Sequence, residues 1–407
     1  MTLQRRHILS GLAAGTAAAA LPRFAWAEDA APFRIASLNP ITGAGSAYGT
    51  GMQKMIAAVV EQVNAAGGAA GRKLQLFSED TETMAQSAVL AAKKLIEVNK
   101  VEAIIGVWGS SESLAVIPMT NAADMILMNT SGAPALSGPP INAKGLSFRF
   151  QATNPQFGQA FAEICTREGF KRPATMAFNN ASGIGNADGF KAAWEKKGGT
   201  VVAAVVYEPN QSSYASELGK VLAAKPDVIV TGSYIPDTTI ILRNWFEAGA
   251  TNKWVLPGWA GNPELIKAVG AEVTEGIFCV DSVSNVNSAA YKLYDAAYQK
   301  AMGVPGEGNP YAAMAYDQAV LMALAIQAAG PGAARAAINA RVREVAGPGG
   351  VEIGSFAEGR DALPKGKIHY VGASSNLDFD KFGDVAPDFG VAVVTQGKLV
   401  RKYVVHP

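Results

Sequence analysis

The chain has 407 residues, of which 49% are hydrophobic and 17% are charged. Its 35 basic and 34 acidic residues give a formal net charge of +1, which offers no electrostatic attraction to nucleic acid or to an anionic membrane. The length exceeds what one hydrophobic core usually fills, so the composition predicts a globular protein with two lobes and no nucleic-acid partner.

The first 27 residues have the features of a bacterial export signal. Arg5-Arg6 precedes an alanine-rich, weakly apolar stretch at Gly11–Leu21, and the segment ends in Ala25-Trp26-Ala27, a small-x-small cleavage pattern. The apolar stretch is shorter than the roughly 18 residues that span a bilayer. We predict a twin-arginine signal peptide over residues 1–27, and a mature chain that starts at Glu28 and is soluble in the periplasm.

Few residues of the mature chain are suited to metal binding or catalysis. Cys165 and Cys279 could pair in an oxidising compartment, but two free buried thiols fit equally well. His369 and His406 are far apart in the sequence, which leaves too few histidines for a zinc site or a histidine-based catalytic triad. We therefore expect no metal, no cofactor and no catalytic residues.

Short β-branched runs alternate with helical patterns in the first part of the mature chain. The predicted strands are Arg34–Leu38, Leu74–Ser78, Ala103–Trp108 and Met125–Asn129, and the predicted helices are Gly51–Ala65, Ala85–Val98 and Ser113–Ala123. This alternation predicts a parallel sheet that is covered by helices on both faces.

The pattern restarts after residue 170 and then changes. A second set of strands is predicted at Ala174–Phe178, Val201–Tyr207, Val228–Thr231 and Trp254–Leu256, with helices at Asn186–Lys197, Tyr214–Ala224 and Thr238–Ala248. Helices at Ala289–Ala301, Tyr311–Ala329 and Ala333–Val345 follow, and then extended segments at Ile368–Tyr370, Leu377–Phe379, Gly390–Thr395 and Leu399–Val404. Two such units predict a two-lobed receptor with its ligand between the carboxyl ends of the strands.

Three loops that follow predicted strands of the first unit are rich in glycine and hydroxyl side chains. Asn39–Gly49 contains Tyr48 and leads into a helix N-terminus, where free amides favour an anion. The other two loops supply Trp108, Gly109, Ser110 and Ser111, and Ser131, Gly132 and Ala133. These loops predict a carboxylate cradle, although Ser110 or Ser111 could instead only cap its helix. No general base stands near these serines, so we do not expect nucleophiles.

The second unit contributes glycines and aromatic residues. Gly183–Gly189 resembles a dinucleotide fingerprint, but its glycine spacing is one residue too long and no acidic partner follows, so nucleotide binding is not expected. Two further loops contain Tyr234 and Trp259. Together with the rings of Tyr48 and Trp108 they would place four aromatic side chains around one crevice, which is typical of a small-molecule cleft.

These motifs together resemble the periplasmic solute-binding proteins of ABC importers, in the leucine/isoleucine/valine-binding class that also includes receptors for amides, urea and aromatic acids. The resemblance covers essentially the whole mature chain and rests on Thr42–Gly49, Asn64–Leu74, Gly109–Ser111, Ser131–Ala133, Ala315–Asp317, and Tyr370–Ser374 leading to Asp378–Asp380. It implies a type I periplasmic binding protein fold, with two doubly wound parallel-sheet lobes joined by three hinge crossovers.

The resemblance also implies a domain organisation and partners. The crossovers would fall near Phe150, Val280 and Gly372–Phe382, so that residues 28–150 with 281–375 form one lobe and residues 151–280 with 376–407 form the other. The protein would be a monomer that works with the permease and ATPase subunits of an importer.

The implied ligand contacts depart from the amino-acid-binding members of this class. Ser110 and the Ser131-Gly132-Ala133 turn would hold a carboxylate, with Ala133 in place of an expected threonine. The acids expected for an ammonium group are replaced by Gly258-Trp259 and by Asn154-Pro155-Gln156, and a buried ammonium without a carboxylate costs several kcal/mol. We therefore expect a carboxylate or amide with an apolar or aromatic body, unless Asp237 or Asp281 supplies the missing charge.

The resulting hypothesis is a non-enzymatic receptor that closes on a small organic solute and delivers it to an ABC importer. The contact residues would be Tyr48, Trp108, Gly109, Ser110, Ser111, Ser131, Gly132, Ala133, Asn154, Tyr234 and Trp259. Two alternatives remain open from the sequence: an exported amidase-like enzyme, and a sensory receptor that uses the same fold.

Overall fold

The computed structural model describes residues 31–406, so the predicted signal peptide at residues 1–27 lies outside the described part of the chain. The strands are β1 (Phe33–Asn39), β2 (Leu74–Asp80), β3 (Ala103–Val107), β4 (Ile126–Asn129), β5 (Ser147–Arg149), β6 (Pro173–Phe178), β7 (Ala204–Tyr207), β8 (Val228–Gly232), β9 (Lys253–Pro257), β10 (Phe278–Ser282), β11 (Val351–Ile353), β12 (Ile368–Tyr370), β13 (Phe389–Thr395) and β14 (Lys398–Val405). The α-helices are α1 (Ser46–Ala65), α2 (Ala85–Glu97), α3 (Ser110–Ala122), α4 (Asn154–Arg167), α5 (Ala181–Lys196), α6 (Ala215–Ala223), α7 (Ile235–Glu247), α8 (Pro263–Val269), α9 (Ala271–Thr274), α10 (Ala289–Met302), α11 (Pro310–Ala329), α12 (Arg335–Ala346) and α13 (Phe356–Ala362).

Strands β1 to β5 form a parallel sheet in the order β2-β1-β3-β4-β5. Strands β3 and β4 are buried at every residue, because helices cover both faces of the sheet. Alternate residues therefore serve two cores: Ile105 belongs to the core that contains Met55 of α1, and Ile104 to the core that contains Val116 of α3. We call this sheet, with helices α1–α3 and α10–α13, lobe 1.

The remaining long strands form a seven-stranded sheet in the order β14-β13-β10-β9-β8-β6-β7, which we call lobe 2 together with helices α4–α9. The predicted two-lobed α/β architecture is confirmed, but β13 runs antiparallel to both β10 and β14. A two-residue turn at Gln396 and Gly397, both with positive φ, joins β13 to β14. Such a turn closes a tight antiparallel hairpin, whereas a parallel crossover needs a dozen or more residues.

The chain passes between the two sheets at residues 150–153, 283–288 and 371–388. Strand β10 stays paired in the sheet of lobe 2 as far as Ser282. The third passage is fastened to α11 by Asp317, whose carboxylate accepts hydrogen bonds from the Tyr370 hydroxyl and from the Ala373 and Ser374 amides at 2.7–2.8 Å. The motifs around Asp317 and Tyr370 therefore attach the third passage to lobe 1.

Several elements differ from the sequence-based predictions. Helix α1 begins at Ser46 rather than Gly51, so Tyr48 lies in its first turn and not in a loop. The predicted extended segment Leu377–Phe379 is not a strand and lies in the third passage. Strands β5 and β10 and helix α4 were not predicted. Helix α4 begins with a capping box between Thr153 and Gln156. Pro155 lies in the first turn, where the helix tolerates a proline because the amide there has no partner within the helix.

The glycine-rich stretch Gly183–Gly189 lies inside helix α5 rather than in a turn. A Cβ atom at Gly158 of α4 would lie 2.1 Å from the backbone of Gly189, so glycines are needed where these two helices touch. Packing of Gly185 and Gly189 against α4, and of Gly183 against the ends of β6 and β8, thus explains the spacing that resembles a nucleotide fingerprint.

Two features of the interior complete the fold. Cys165 and Cys279 are both buried and do not form a disulfide. Of the two alternatives, a disulfide or two free thiols, the structure contains the free thiols. Helix α11 is long and apolar enough to cross a membrane by composition, but 83% of its most apolar window is buried, as in the core helix of a folded lobe.

Candidate ligand-binding cleft

A narrow cavity lies between the two lobes, at the carboxyl ends of strands from both sheets. This is where parallel α/β sheets usually bind small molecules. The cavity is lined by Trp108, Gly109, Ser110, Thr130, Gly132, Gln151, Asn154, Ser182, Tyr234, Trp259 and Tyr311. Seven of the eleven predicted contact residues are among them, whereas Tyr48, Ser111, Ser131 and Ala133 lie behind this wall.

Aromatic rings from both lobes form one cluster at the cavity. The ring centroids of Trp108 and Tyr234 are 5.5 Å apart across the lobes, and Tyr311 meets Trp108 edge-on at 5.6 Å. Tyr48 stacks on the outer side of Trp108 at 5.8 Å. Tyr311 was not predicted, because it begins a helix whose apolar pattern indicates only a core position.

Ser110 joins the two polar loops of lobe 1. Its hydroxyl oxygen accepts hydrogen bonds from the Gly132 and Ala133 amides, both at 3.2 Å. Helix α3 is capped at Gly109 without a side-chain bond, so the alternative in which Ser110 only caps the helix does not describe this structure. The hydroxyl proton of Ser110 can still be donated to a ligand, because both observed bonds use the oxygen as acceptor.

The predicted contacts Ser131 and Ser111 have other partners. The Ser131 hydroxyl is 2.5 Å from the Ser113 hydroxyl and bonds to the carbonyl of Gly109, so it stabilises the loop from behind. The Ser111 hydroxyl accepts a hydrogen bond from the Ala181 amide at 3.3 Å, across the two lobes. These serines therefore position the loops and the lobes instead of facing the cavity.

Arg149, at the end of β5, holds the Ser131-Gly132-Ala133 loop in place. Its guanidinium donates to the carbonyls of Ser131 and Ala133 at 2.9 and 3.0 Å, and pairs with Asp384 of the third passage at 2.9 Å. Burial lowers the pKa of Arg149, while the charge of Asp384 opposes that shift. Nothing in the sequence pattern marks this residue, since a single arginine in a short strand has no characteristic spacing.

Thr130 and Asn154 present polar atoms that have no partner within the protein. Both residues line the cavity and are 1% exposed, and Thr130 Oγ1 and Asn154 Oδ1 make no hydrogen bond in the described chain. A buried polar atom without a partner is costly. A ligand in the cavity could supply the missing partners.

Glycines lie in and near the cavity wall where neighbouring side chains approach the backbone closely. A Cβ atom at Gly132, which lines the cavity, would lie 1.8 Å from Asn154 Oδ1, and one at Gly258, outside the lining, would lie 2.2 Å from Asp281 Oδ2. Glycine at these positions lets the loops approach each other closely.

Three acids near the cleft differ in their surroundings. Asp237 is engaged by the Tyr214 hydroxyl and by the Asn210 amide, so it does not point to the cavity. Asp281 lies beside Gly258, and burial raises its pKa to about 7. Glu112, which was not singled out from the sequence, is 3% exposed, and burial raises its pKa to about 7.

The lobes are in contact around the cavity. The Tyr48 hydroxyl donates to the carbonyl of Gly258 at 3.2 Å and accepts a hydrogen bond from Asn262 at 2.7 Å. Tyr48 belongs to lobe 1, and its two partners belong to lobe 2. The structure is therefore a closed arrangement of the two lobes.

The known proteins to which this chain is similar are binding proteins. A family model described as "Periplasmic binding protein" matches residues 32–362. An amino acid binding protein of Pseudomonas aeruginosa is 26% identical over 250 residues, which cover 58% of this chain and 65% of that relative. The chain thus aligns with slightly less than two thirds of the relative's length.

Two solved structures share the fold. The leucine binding protein LivK of Thermotoga maritima superimposes with a TM-score of 0.78 at 23% identity, covering 92% of this chain and 99% of that structure. A solute binding protein of an ABC transporter from R. palustris, in complex with benzoate, gives a TM-score of 0.75 at 18% identity, covering 92% and 97%.

Proposed function

The chain belongs to the periplasmic binding protein family, and we propose that it is a solute receptor that delivers a small organic ligand to an ABC importer. The cavity between the lobes carries this proposal, because polar loops and aromatic rings from both sheets meet there. A concave space with aromatic walls and a few convergent polar groups is a usual form of a small-molecule site.

We further propose that the ligand is a carboxylate or amide with an apolar or aromatic body. The rings of Trp108, Tyr234, Trp259 and Tyr311 offer flat apolar surface, and the hydroxyls of Ser110 and Thr130 offer hydrogen bonds at one side. The name of the P. aeruginosa relative refers to amino acids, which fits the branched-chain amino acid and amide class. An aromatic acid is the other candidate within this description.

Binding would work by closure of the two lobes. Ligand that contacts both walls binds the closed arrangement better than an open one and shifts the population towards it. The contacts between Tyr48 and Asn262 and between Ser111 and Ala181 exist only when the lobes meet. They would stabilise the closed, ligand-bound state that a permease recognises.

A thermal-shift screen of the mature protein tests the ligand class. The panel contains aliphatic amino acids, short amides, urea and benzoate-like acids, and a tight ligand raises the melting temperature by mass action. We expect the largest shifts for carboxylates or amides with apolar or aromatic bodies. A strong shift with leucine or valine, and none with aromatic acids or amides, would contradict this choice of ligand class.

The absence of catalysis is part of the proposal and has its own test. The purified protein is incubated with amides and esters, and product is measured. We expect no turnover, because the Ser110 hydroxyl is bonded to backbone amides and not to a base. Turnover that is lost in Ser110→Ala would indicate an exported amidase-like enzyme instead.

Export and partners complete the proposal. Arg5→Lys combined with Arg6→Lys should leave unprocessed protein in the cytoplasm if the twin-arginine route is used, and normal processing would indicate the general secretory route. We expect a monomer in solution, which light scattering measures. A permease and an ATPase encoded beside this chain would favour transport over a sensory role.

A further inference from the structure

Glu112 is a buried carboxyl group that the proposed function leaves without a role. It lies in the first turn of α3, is 3% exposed, and its Oε1 atom has no hydrogen-bond partner within the described residues. A buried carboxyl group that lacks a partner destabilises a protein unless something else compensates for its loss of water.

The carboxyl group lies against two residues of the cavity wall. A Cβ atom at Gly109 would be 2.1 Å from Glu112 Oε2, so the carboxyl is in contact with the backbone of Gly109. Burial, and next the charge of Glu112, raise the pKa of Tyr234, which belongs to lobe 2. Gly109 and Tyr234 both line the cavity, and the Glu112 carboxyl lies directly behind Gly109.

A simpler role for Glu112 would be to complement the dipole of α3, as acids in a first helical turn often do. That interaction is available to an exposed side chain and does not require burial. It also leaves Oε1 without a partner, next to a cavity lined by aromatic rings. The dipole therefore does not account for the burial of this group between the lobes.

We propose that the Glu112 carboxylate accepts a hydrogen bond from a nitrogen of the ligand, and thereby selects ligands with an N–H donor over plain carboxylates of the same shape. This inference rests on the proposed solute-receptor function and narrows its ligand class. An ammonium or an amide nitrogen would serve, since both donate hydrogen bonds. An ammonium would also be attracted by the faces of the surrounding rings. A plain carboxylate would instead bring a second negative charge beside Glu112.

Asp281 is the competing acid and differs in two respects. Its Oδ1 atom already accepts a hydrogen bond from the Ser282 amide at 2.8 Å, and the residue is only partly buried. It lies behind Gly258, which does not line the cavity. The experiment therefore includes a variant of each acid, Glu112→Gln and Asp281→Asn.

The test is calorimetry at pH 8, where Glu112 is ionised, with ligands that share one body. One series is 4-methylpentanoate, 4-methylpentanamide and leucine; the other is 3-phenylpropanoate, 3-phenylpropanamide and phenylalanine. We expect the wild-type protein to bind at least one nitrogen-bearing member about tenfold or more tightly than the plain acid, as a hydrogen bond to a charged group allows. The amide and amino-acid arms show which nitrogen is preferred.

The variant Glu112→Gln keeps the shape of the side chain and removes its charge. It should reduce the preference for nitrogen-bearing ligands by about tenfold or more, through weaker binding of those ligands and tighter binding of the plain acid. Glu97→Gln is the matched control, because Glu97 is exposed on the neighbouring helix α2. It should leave the preference unchanged.

Three outcomes would overturn the inference. The first is a preference that Glu112→Gln leaves within about twofold of wild type, and the second is a preference that Asp281→Asn removes instead. In both cases ligands still bind, so the proposed receptor function stands. If no member of either series binds, the proposed ligand class fails and this inference fails with it.

Discussion

The polar loops that lobe 1 contributes to the cavity are held by hydrogen bonds, whereas the aromatic residues that lobe 2 contributes are held by the packing of rings. In lobe 1, Ser110 bridges two loops and Arg149 fixes the second loop to the chain below it. In lobe 2, Trp259 packs edge-on against Phe157 at 5.1 Å, and Tyr234 against Phe178 at 5.0 Å. The polar loops of lobe 1 are thus suited to orient a polar end of the ligand, and the rings of lobe 2, together with Trp108 and Tyr311 of lobe 1, to cover its apolar body.

The largest effect is expected from Arg149→Met, which removes the support of the lobe 1 wall. Asp384 would lose its cationic partner and keep only the Ser137 hydroxyl among the described side chains, and the carbonyls of Ser131 and Ala133 would lose the bonds from the guanidinium. Breaking a buried pair on one side costs about 3–5 kcal/mol of the free energy of unfolding, which urea denaturation measures. Arg167→Met is the control, because the Arg167–Glu163 pair is exposed and contributes about 1 kcal/mol or less. Equal losses in the two variants would contradict a buried role for Arg149.

Trp259→Ala should be the next largest change, and it acts on binding through lobe 2. Truncating a buried aromatic residue at the centre of a binding site typically weakens affinity by about 2–4 kcal/mol. Calorimetry with the best ligand from the screen measures this loss. Trp245→Ala is the control, since Trp245 packs against Trp254 and does not line the cavity. If both variants bind as wild type does, lobe 2 does not cover the ligand in the expected way.

Ser110→Ala should weaken the binding of a carboxylate ligand by about 1.5–3 kcal/mol, the range for a hydrogen bond to a charged group. The loss should be smaller for a neutral amide of the same shape, because that bond is not assisted by charge. Calorimetry with an acid and its amide measures both values, and Ser87→Ala on helix α2 is the control. Unchanged affinity for both ligands would mean that Ser110 only links the two loops.

The last expected effect is a dependence of stability on pH. Burial raises the folded-state pKa of Glu112 and of Asp281 to about 7 and that of Asp317 to about 6, above their ordinary values. The folded protein therefore holds protons that the unfolded chain releases, so the contribution of these groups to stability is present below about pH 4–5 and falls as the pH rises towards about 7. For Glu112, whose pKa is raised from 4.5 to about 7, the loss should be at most roughly 3 kcal/mol.

Thermal unfolding of the ligand-free protein between pH 5 and pH 8 measures this dependence. The variant Glu112→Gln should have a flatter profile than the wild-type protein, since it lacks one of the three carboxyl groups whose pKa is raised by burial. A wild-type stability that rises over this range, or profiles that coincide, would show that Glu112 is not buried in solution as it is here.

The loops of the cavity could be predicted from the sequence because they follow strand ends. Trp108, Gly109, Ser110 and Gly132 were found in this way, since the carboxyl ends of parallel strands meet at one edge of a sheet. Tyr311 and Thr130 were not chosen, although both line the cavity. Tyr311 lies within a helical pattern that indicates only a core residue, and Thr130 directly precedes the Ser131-Gly132-Ala133 turn to which the resemblance assigns the ligand contact.

The sequence by itself determined the alternation of strands and helices, and with it two lobes and the edge at which they bind a ligand. That information is local, because hydrophobic periodicity and turn residues act over a few positions. Only the tertiary structure decided that Arg149 meets Asp384, that Ser131 turns away from the cavity, and that Glu112 is buried at its border. Those facts depend on contacts between segments far apart in the chain. Where the lobes close, water is removed, and the free energy of keeping each group charged changes.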